Sequence, residues 1–187
     1  MKKFIGIIVM VGMITGSVLL TGCGKKEEAP KVASDSNAHR LLVEGTVYLK
    51  QGEVVKAVEN FASAIKDSPD YFEAYFMLAQ TFIHLKQFAQ AQSVLSAAAQ
   101  RFPDNPTVYY FLSIAYQGSD DLMPAIVSAR KSVDLFRAKK DEEGEKRATI
   151  LLGVLVQIAK KKSEDNMVEN AANAAKAAVQ STPAVQQ

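Results

Sequence analysis

The 187-residue chain contains few side chains that could do chemistry. It has one cysteine, Cys23, and two histidines, His39 and His84. A single cysteine excludes an intrachain disulfide framework and a thiolate-rich zinc site, and the two histidines lack the spacing of metal ligands. The sequence contains neither a glycine-rich phosphate loop nor a serine nucleophile elbow. We therefore expect no enzyme activity, no metal and no other cofactor, and the Cys23 thiol is the one reactive group of note.

Cys23 directly follows an apolar leader. Two lysines at positions 2 and 3 precede an apolar run over residues 4–20, the pattern of an export signal. As a helix this run would be about 25 Å long, slightly short of the roughly 30 Å hydrocarbon layer of a bilayer, which makes it a marginal permanent span. The four residues at its end are Leu20, Thr21, Gly22 and Cys23.

These four residues resemble the bacterial lipobox. The resemblance implies that residues 1–22 are a signal peptide that is removed, and that Cys23 receives a diacylglycerol and usually a further acyl chain such as palmitate. Acyl chains of this kind anchor a protein to the lipid membrane essentially permanently. The alternative is an ordinary secretory leader followed by an unmodified cysteine.

The residues behind Cys23 indicate where the protein is held. Gly24, rather than aspartate, resembles the pattern of Gram-negative lipoproteins sorted to the outer membrane, where the domain would face the periplasm. Residues 23–37 have little apolar content, which predicts a flexible lipidated tether. Without Lys2 and Lys3 the chain has 20 basic and 20 acidic residues, so nucleic acid is not an expected partner.

From Ala38 the sequence repeats every 34 residues. Small residues recur at two positions of the repeat and large apolar residues recur between them. The recurring sets are Gly45, Ala79 and Ser113; Ala57, Ala91 and Ala125; and Tyr48, Phe82 and Tyr116. Small residues at fixed positions let two helices of one unit approach closely, and the apolar edges that remain must be covered by the next unit.

This pattern resembles the tetratricopeptide repeat, a helix-turn-helix unit. Three units in register, 38–71, 72–105 and 106–139, imply an all-α solenoid whose repeats end near residue 137. Gly52 is expected to end the first helix, and Asp70 and Asn105 to cap the third and fifth. Arg137 stands where Pro69 and Pro103 predict a proline, so the sixth helix is expected to extend to about Lys140.

The last part of the chain, residues 138–187, is out of register with the repeats. Apolar residues at helical spacing predict one helix over 141–162 and another over about 164–180, followed by a frayed tail. We interpret both helices as a cap on the solenoid.

The resemblance also implies a concave groove that binds partners, lined by fixed positions of the first helix of each unit. Carried over to this sequence, the groove residues are Leu42, Leu49, Lys50, Glu73, Phe76, Gln80, Ile83, Tyr110, Ile114 and Gln117. Phe76 and Tyr110 are the expected aromatic anchors, because a contiguous apolar stripe on a surface usually marks an interaction site. The alternative is that the C-terminal helices fold back and cover the stripe.

Together these features predict a membrane-anchored scaffold or adapter of the bacterial cell envelope that binds segments of other envelope proteins. A pilotin-like assembly factor for the outer-membrane complex of a pilus or secretion system is a more specific alternative. Alternatives of another class are an accessory subunit of a cell-wall enzyme and a binder of small ligands with an enclosed cavity.

The lipobox resemblance generates a prediction about anchoring. The substitution Cys23→Ser removes the thiol that would be acylated, so we expect the protein to leave the membrane fraction or to remain uncleaved. Fractionation and labelling with a radioactive or clickable fatty acid measure both effects. Unchanged fractionation together with full lipid labelling of the variant would contradict lipidation at Cys23.

Overall fold

The computed structural model describes the backbone of residues 31–180 and the side chains of residues 36–173. Over this part the chain forms helices and no strand, which confirms the predicted all-α solenoid. The helices are α1 (Lys31–Lys50), α2 (Val54–Asp67), α3 (Phe72–His84), α4 (Phe88–Arg101), α5 (Pro106–Gly118), α6 (Leu122–Ala138) and α7 (Glu142–Gln180). None of these seven combines the length and the apolar content needed to cross a bilayer. The predicted signal peptide, Cys23 and residues 181–187 lie outside the described residues.

Each predicted repeat is a hairpin of two antiparallel helices, α1 with α2, α3 with α4 and α5 with α6. The helices meet where the sequence places small residues: Ala57, Ala91 and Ala125 are fully buried, as are Ala79 and Ser113. At Gly45 a Cβ atom would lie 2.6 Å from Cε1 of Phe61, a ring that is itself fully buried. Close helix contact at a small residue therefore sets the hairpin geometry.

The turn inside each hairpin is the same in all three units. Its second residue has a positive φ: 78° at Gly52, 57° at Lys86 and 63° at Asp120. The residue after it donates its backbone N–H to a carbonyl five residues earlier, from Glu53 to Tyr48 at 2.9 Å in the first unit. The expectation that Gly52 ends the first helix is confirmed, since α1 ends at Lys50 and Gly52 supplies the left-handed residue of the turn.

The predicted caps have different outcomes. Asn105 caps α5 as expected, because its Oδ1 accepts a hydrogen bond from the Thr107 N–H at 3.0 Å and Pro106 occupies the first turn. Asp70 does not cap α3. The N-cap residue of α3 is Tyr71, and the Asp70 carboxylate instead accepts a hydrogen bond from the Arg101 guanidinium at 3.2 Å.

The connection from α6 to α7 differs from the two earlier connections between hairpins. Without a proline at Arg137, α6 continues to Ala138, close to the predicted end. The chain then turns as it does inside a hairpin: Lys140 has a φ of 57°, and the Asp141 N–H donates to the Phe136 carbonyl at 3.0 Å. This tight turn folds α7 back along α6 and takes the chain out of the 34-residue register.

Two predicted boundaries are corrected by the structure. Helix α7 is continuous from Glu142 to Gln180, so the predicted break near Ser163 is wrong: the sequence there has no proline or glycine to end a helix. Helix α1 begins at Lys31, so residues 31–37, assigned to the tether, are helical. Its entry into the core is fixed by Ala38, which packs with Ala64 and Ala74.

The close contact at Gly45 generates a prediction about stability. The substitution Gly45→Ala should destabilise the fold by about 1 kcal/mol, because the cost of forcing a methyl group against the buried Phe61 ring exceeds the gain in helix propensity. Gly153, in the middle of α7, is the matched control: an added Cβ would meet no atom within 4 Å. Gly153→Ala should therefore raise helix stability by up to about 1 kcal/mol. Urea denaturation followed by circular dichroism measures both changes, and stabilisation by Gly45→Ala would contradict the assigned packing.

Candidate functional site

The predicted groove residues lie on three neighbouring helices, α1, α3 and α5, as the repeat pattern requires. Lys50 and Glu73 are exposed, and all the others are half-buried. Half-burial means that these side chains pack on one side and present the other side to solvent. Leu42 and Leu49 show this clearly, because both pack against the cluster built around Phe61.

An apolar pocket lies between the C-terminal halves of α1 and α3 and is open to solvent. Its volume is about 370 Å³, enough for one or two large side chains. Two of the predicted groove residues, Leu49 and Gln80, line it together with His84. The remaining lining residues are Val54, Met77, Thr81 and Leu85.

Leu85 is a lining residue that the sequence analysis did not identify. It lies just after α3, where its side chain remains 42% exposed although it is large and apolar. An exposed leucine at a helix end is common, so the sequence position of Leu85 does not by itself indicate a binding pocket. Its contribution to a pocket depends on how α1 and α3 are placed, which the sequence does not specify.

Phe76, a predicted anchor, is part of an aromatic cluster that crosses from one repeat to the next. Its ring lies 5.0 Å from that of Phe111 in an edge-to-face arrangement and 5.9 Å from that of Phe72. Such pairs are worth about 0.5–1.5 kcal/mol beyond the area they bury. Phe76 therefore helps to hold α3 against α5, and its side chain is half-buried.

Tyr110, the second predicted anchor, packs at the far end of the stripe. Together with Leu152 of α7 it lies against the buried cluster of Val133, Phe136 and Ala148. Helix α7 packs along α6 and not along α1 or α3. Over the described residues, the C-terminal helix therefore covers the Tyr110 end of the stripe and leaves the part around Leu42, Leu49 and Gln80 open.

The two histidines lie apart and make different contacts. His39 Nδ1 lies 3.0 Å from the Tyr71 hydroxyl. Burial, with a smaller contribution from the charge of Glu73, raises the pKa of Tyr71, so this hydroxyl stays protonated at neutral pH and can donate to the imidazole. His84 lies at the open pocket. Within the described part of the chain no three His, Cys, Asp or Glu side chains are grouped so that they could hold a metal ion.

The polar groove residues form no preorganised charged site. Lys50 and Glu73 make no ion pair with any other described residue. Gly118 of α5, two repeats after Lys50, lies close to Phe88: an added Cβ atom would be 2.3 Å from Cε1 of that ring.

Comparison with known proteins identifies the repeats. Residues 48–115 match the profile of the tetratricopeptide repeat family. Comparison of the sequence with curated proteins finds no match.

Several solved structures share the fold. The first tetratricopeptide domain of Spaghetti (RPAP3), bound to the HSP90 peptide SRMEEVD, has a TM-score of 0.59 at 21% identity and covers 67% of this chain and 95% of its own. The TPR2B domain of yeast Sti1, in a complex described as pHsp70, has a TM-score of 0.60 at 17% identity over 65% of this chain and 98% of its own. PcrH from Pseudomonas aeruginosa has a TM-score of 0.60 at 17% identity and covers 65% of this chain and 93% of its own.

The family match begins at the end of α1, includes α2, α3 and α4, and ends within α5. The fold comparisons extend the similarity to about two thirds of the chain. By this match residues 48–115 are tetratricopeptide repeats, and the hairpins around them share the fold of tetratricopeptide domains.

Proposed function

We propose that this protein is an interaction scaffold whose groove, at the open pocket between α1 and α3, binds a segment of a partner protein through apolar side chains. The observation that carries the proposal is the pocket itself, which is lined mainly by apolar atoms and which no described helix covers. An open pocket of this kind favours a polypeptide segment over a small ligand, because small-ligand sites enclose most of their ligand's surface.

The charges around the pocket support an apolar partner segment. Among the predicted groove residues only Lys50 and Glu73 are charged; Lys50 is the last residue of α1, Glu73 is in the first turn of α3, and both are exposed. Opposite charges of this kind, each exposed, contribute little to affinity on their own. A large apolar side chain of the partner, inserted among Leu49, Met77 and Leu85, would then supply most of the binding energy.

Two of the similar structures are complexes, one with an HSP90 peptide and one with pHsp70. This supports recognition of a protein segment by the same fold. It does not extend to the same ligands, since the identity to this chain is 21% and 17%.

The proposal includes attachment to the membrane through Cys23 in the bacterial cell envelope, most simply the outer membrane facing the periplasm. Tethering would raise the local concentration of a captured partner to about 1 mM, so a modest groove affinity would be sufficient. A pilotin-like role in assembling an outer-membrane complex is the more specific form of this proposal, and the lipobox resemblance and repeat fold are what support it.

Leu85 offers a direct test of the pocket. The substitution Leu85→Glu places a charge at the pocket mouth without removing a buried side chain, and we expect it to weaken partner binding at least about tenfold. The partner is found by incorporating a photocrosslinking amino acid at Gln80 in intact cells and identifying the adduct by mass spectrometry. The yield of that one adduct is then compared between the wild-type chain, Leu85→Glu and a control variant, each with the photocrosslinking amino acid at Gln80.

Val43→Glu is the matched control. Val43 is an α1 residue 48% exposed, close to the 42% of Leu85, and it does not line the pocket. The adduct yield should fall in Leu85→Glu and remain unchanged in Val43→Glu, while circular dichroism stays helical in both. Equal yields in the two variants would reject this pocket as the binding site.

A further inference from the structure

Helix α7 extends well beyond the body of the protein. Its last fully buried residue is Leu155, and Ala159 is half-buried. Every side chain from Lys160 to Asn173 is exposed. An isolated helix of this length is only marginally stable in water, so a projecting arm of this kind gains stability when it packs against another surface.

One face of this arm has the spacing of a coiled-coil seam. Val154, Ile158, Lys161, Asp165, Val168 and Ala172 follow one another at alternating intervals of four and three residues, and all six are exposed. Val154 is 47% exposed, Ile158 38% and Val168 71%. At about 100° per residue, this seam lies to one side of the face formed by Ala148, Leu152 and Leu155, which packs on α6.

We propose that this seam is a homodimerisation surface, on which the α7 arms of two copies pack antiparallel around a two-fold axis at Ser163. In that arrangement each charged seam residue lies opposite one of the other sign, and each apolar seam residue lies opposite another apolar residue. Lys161 lies opposite Asp165 of the second copy, Ile158 lies opposite its Val168, and Val154 lies opposite its Ala172. The pairing is isologous, so each contact occurs twice.

Charge selects both the partner and the orientation. Lys161 and Asp165 form no ion pair with described residues, whereas their neighbours Lys160 and Lys162 pair with Glu164 and Asp120. In a parallel pair Lys161 would face Lys161 and Asp165 would face Asp165, and like charges at a seam oppose pairing. The antiparallel pair converts both repulsions into attractions.

The body of the protein does not obstruct this pairing. Helix α7 packs on α6 through Leu151, Leu152 and Leu155, and further along it Lys162 pairs with Asp120; none of these residues belongs to the seam. A two-fold axis at Ser163 places the α6 helix of the second copy alongside the far end of the arm. The groove between α1 and α3 takes no part in the contact.

Charge reversal tests the proposal on the full chain, solubilised in a mild detergent, with molar mass measured by sedimentation velocity over a range of concentrations. The wild-type chain should form dimers. Lys161→Glu and Asp165→Lys should each raise the dimer dissociation constant at least about tenfold, because each creates two like-charge pairs. The double variant Lys161→Glu/Asp165→Lys should restore the dimer.

Two further variants separate the seam from general effects on the helix. Val168→Asp should also dissociate the dimer, since Val168 is exposed in the monomer and has no folding role there. Lys160→Glu makes the same charge change outside the seam and should leave the dimer intact, while circular dichroism remains helical throughout. A monomer at every concentration up to about 1 mM would overturn the proposal, as would a dimer that persists in both Lys161→Glu and Val168→Asp.

Discussion

The structure depends on the close approach of two helices at a residue too small to hold them apart. Within each hairpin this residue is Gly45, Ala79 or Ser113, and its counterpart across the contact is an alanine with no exposed surface. Size matters more than polarity here. The hydroxyl of Ser113 is buried without a hydrogen-bond partner among the described residues. Such a group costs about 1–3 kcal/mol, and this cost accompanies the short distance between the two helices.

This constraint explains why the fold could be predicted from the sequence. A fixed interval between small residues specifies the hairpin, and the large residues between them specify which faces must be covered by the next unit. Local signals were less informative where several conformations are compatible with the same residues. Nothing in the sequence around Ser163 stops a helix, so one helix or two were both consistent with its periodicity. Asp70 could cap a helix or pair with Arg101, and only the relative placement of α3 and α4 decides between them.

The repeat positions predict which residues line a groove, but they do not predict how each of those side chains packs. Repeat positions assign Leu42, Leu49 and Gln80 to the concave side; in the structure all three are half-buried, and Leu49 and Gln80 line the open pocket. The same positions treat Phe76 and Tyr110 as equivalent anchors. Both rings lie edge-to-face with Phe111, but only Tyr110 also packs on the cluster that α6 and α7 form. These differences arise because the ends of a short array have different neighbours from its middle. The open pocket forms between the first two units, and in the described part of the chain α7 packs on α6 instead.

The turns described above also govern where the chain can change in length. Gly52, Lys86 and Asp120 lie in three-residue turns whose backbone hydrogen bonds bridge the ends of both helices, so an added residue would break the bond or shift one helix against the other. The connections between hairpins are four residues long and carry exposed positions such as Pro103 and Asp104. A fluorescent label or an affinity tag inserted there would leave the helix contacts in place. The array thus tolerates inserted residues between hairpins but not inside a hairpin. The hairpin, rather than the single helix, is therefore the segment whose length must stay constant.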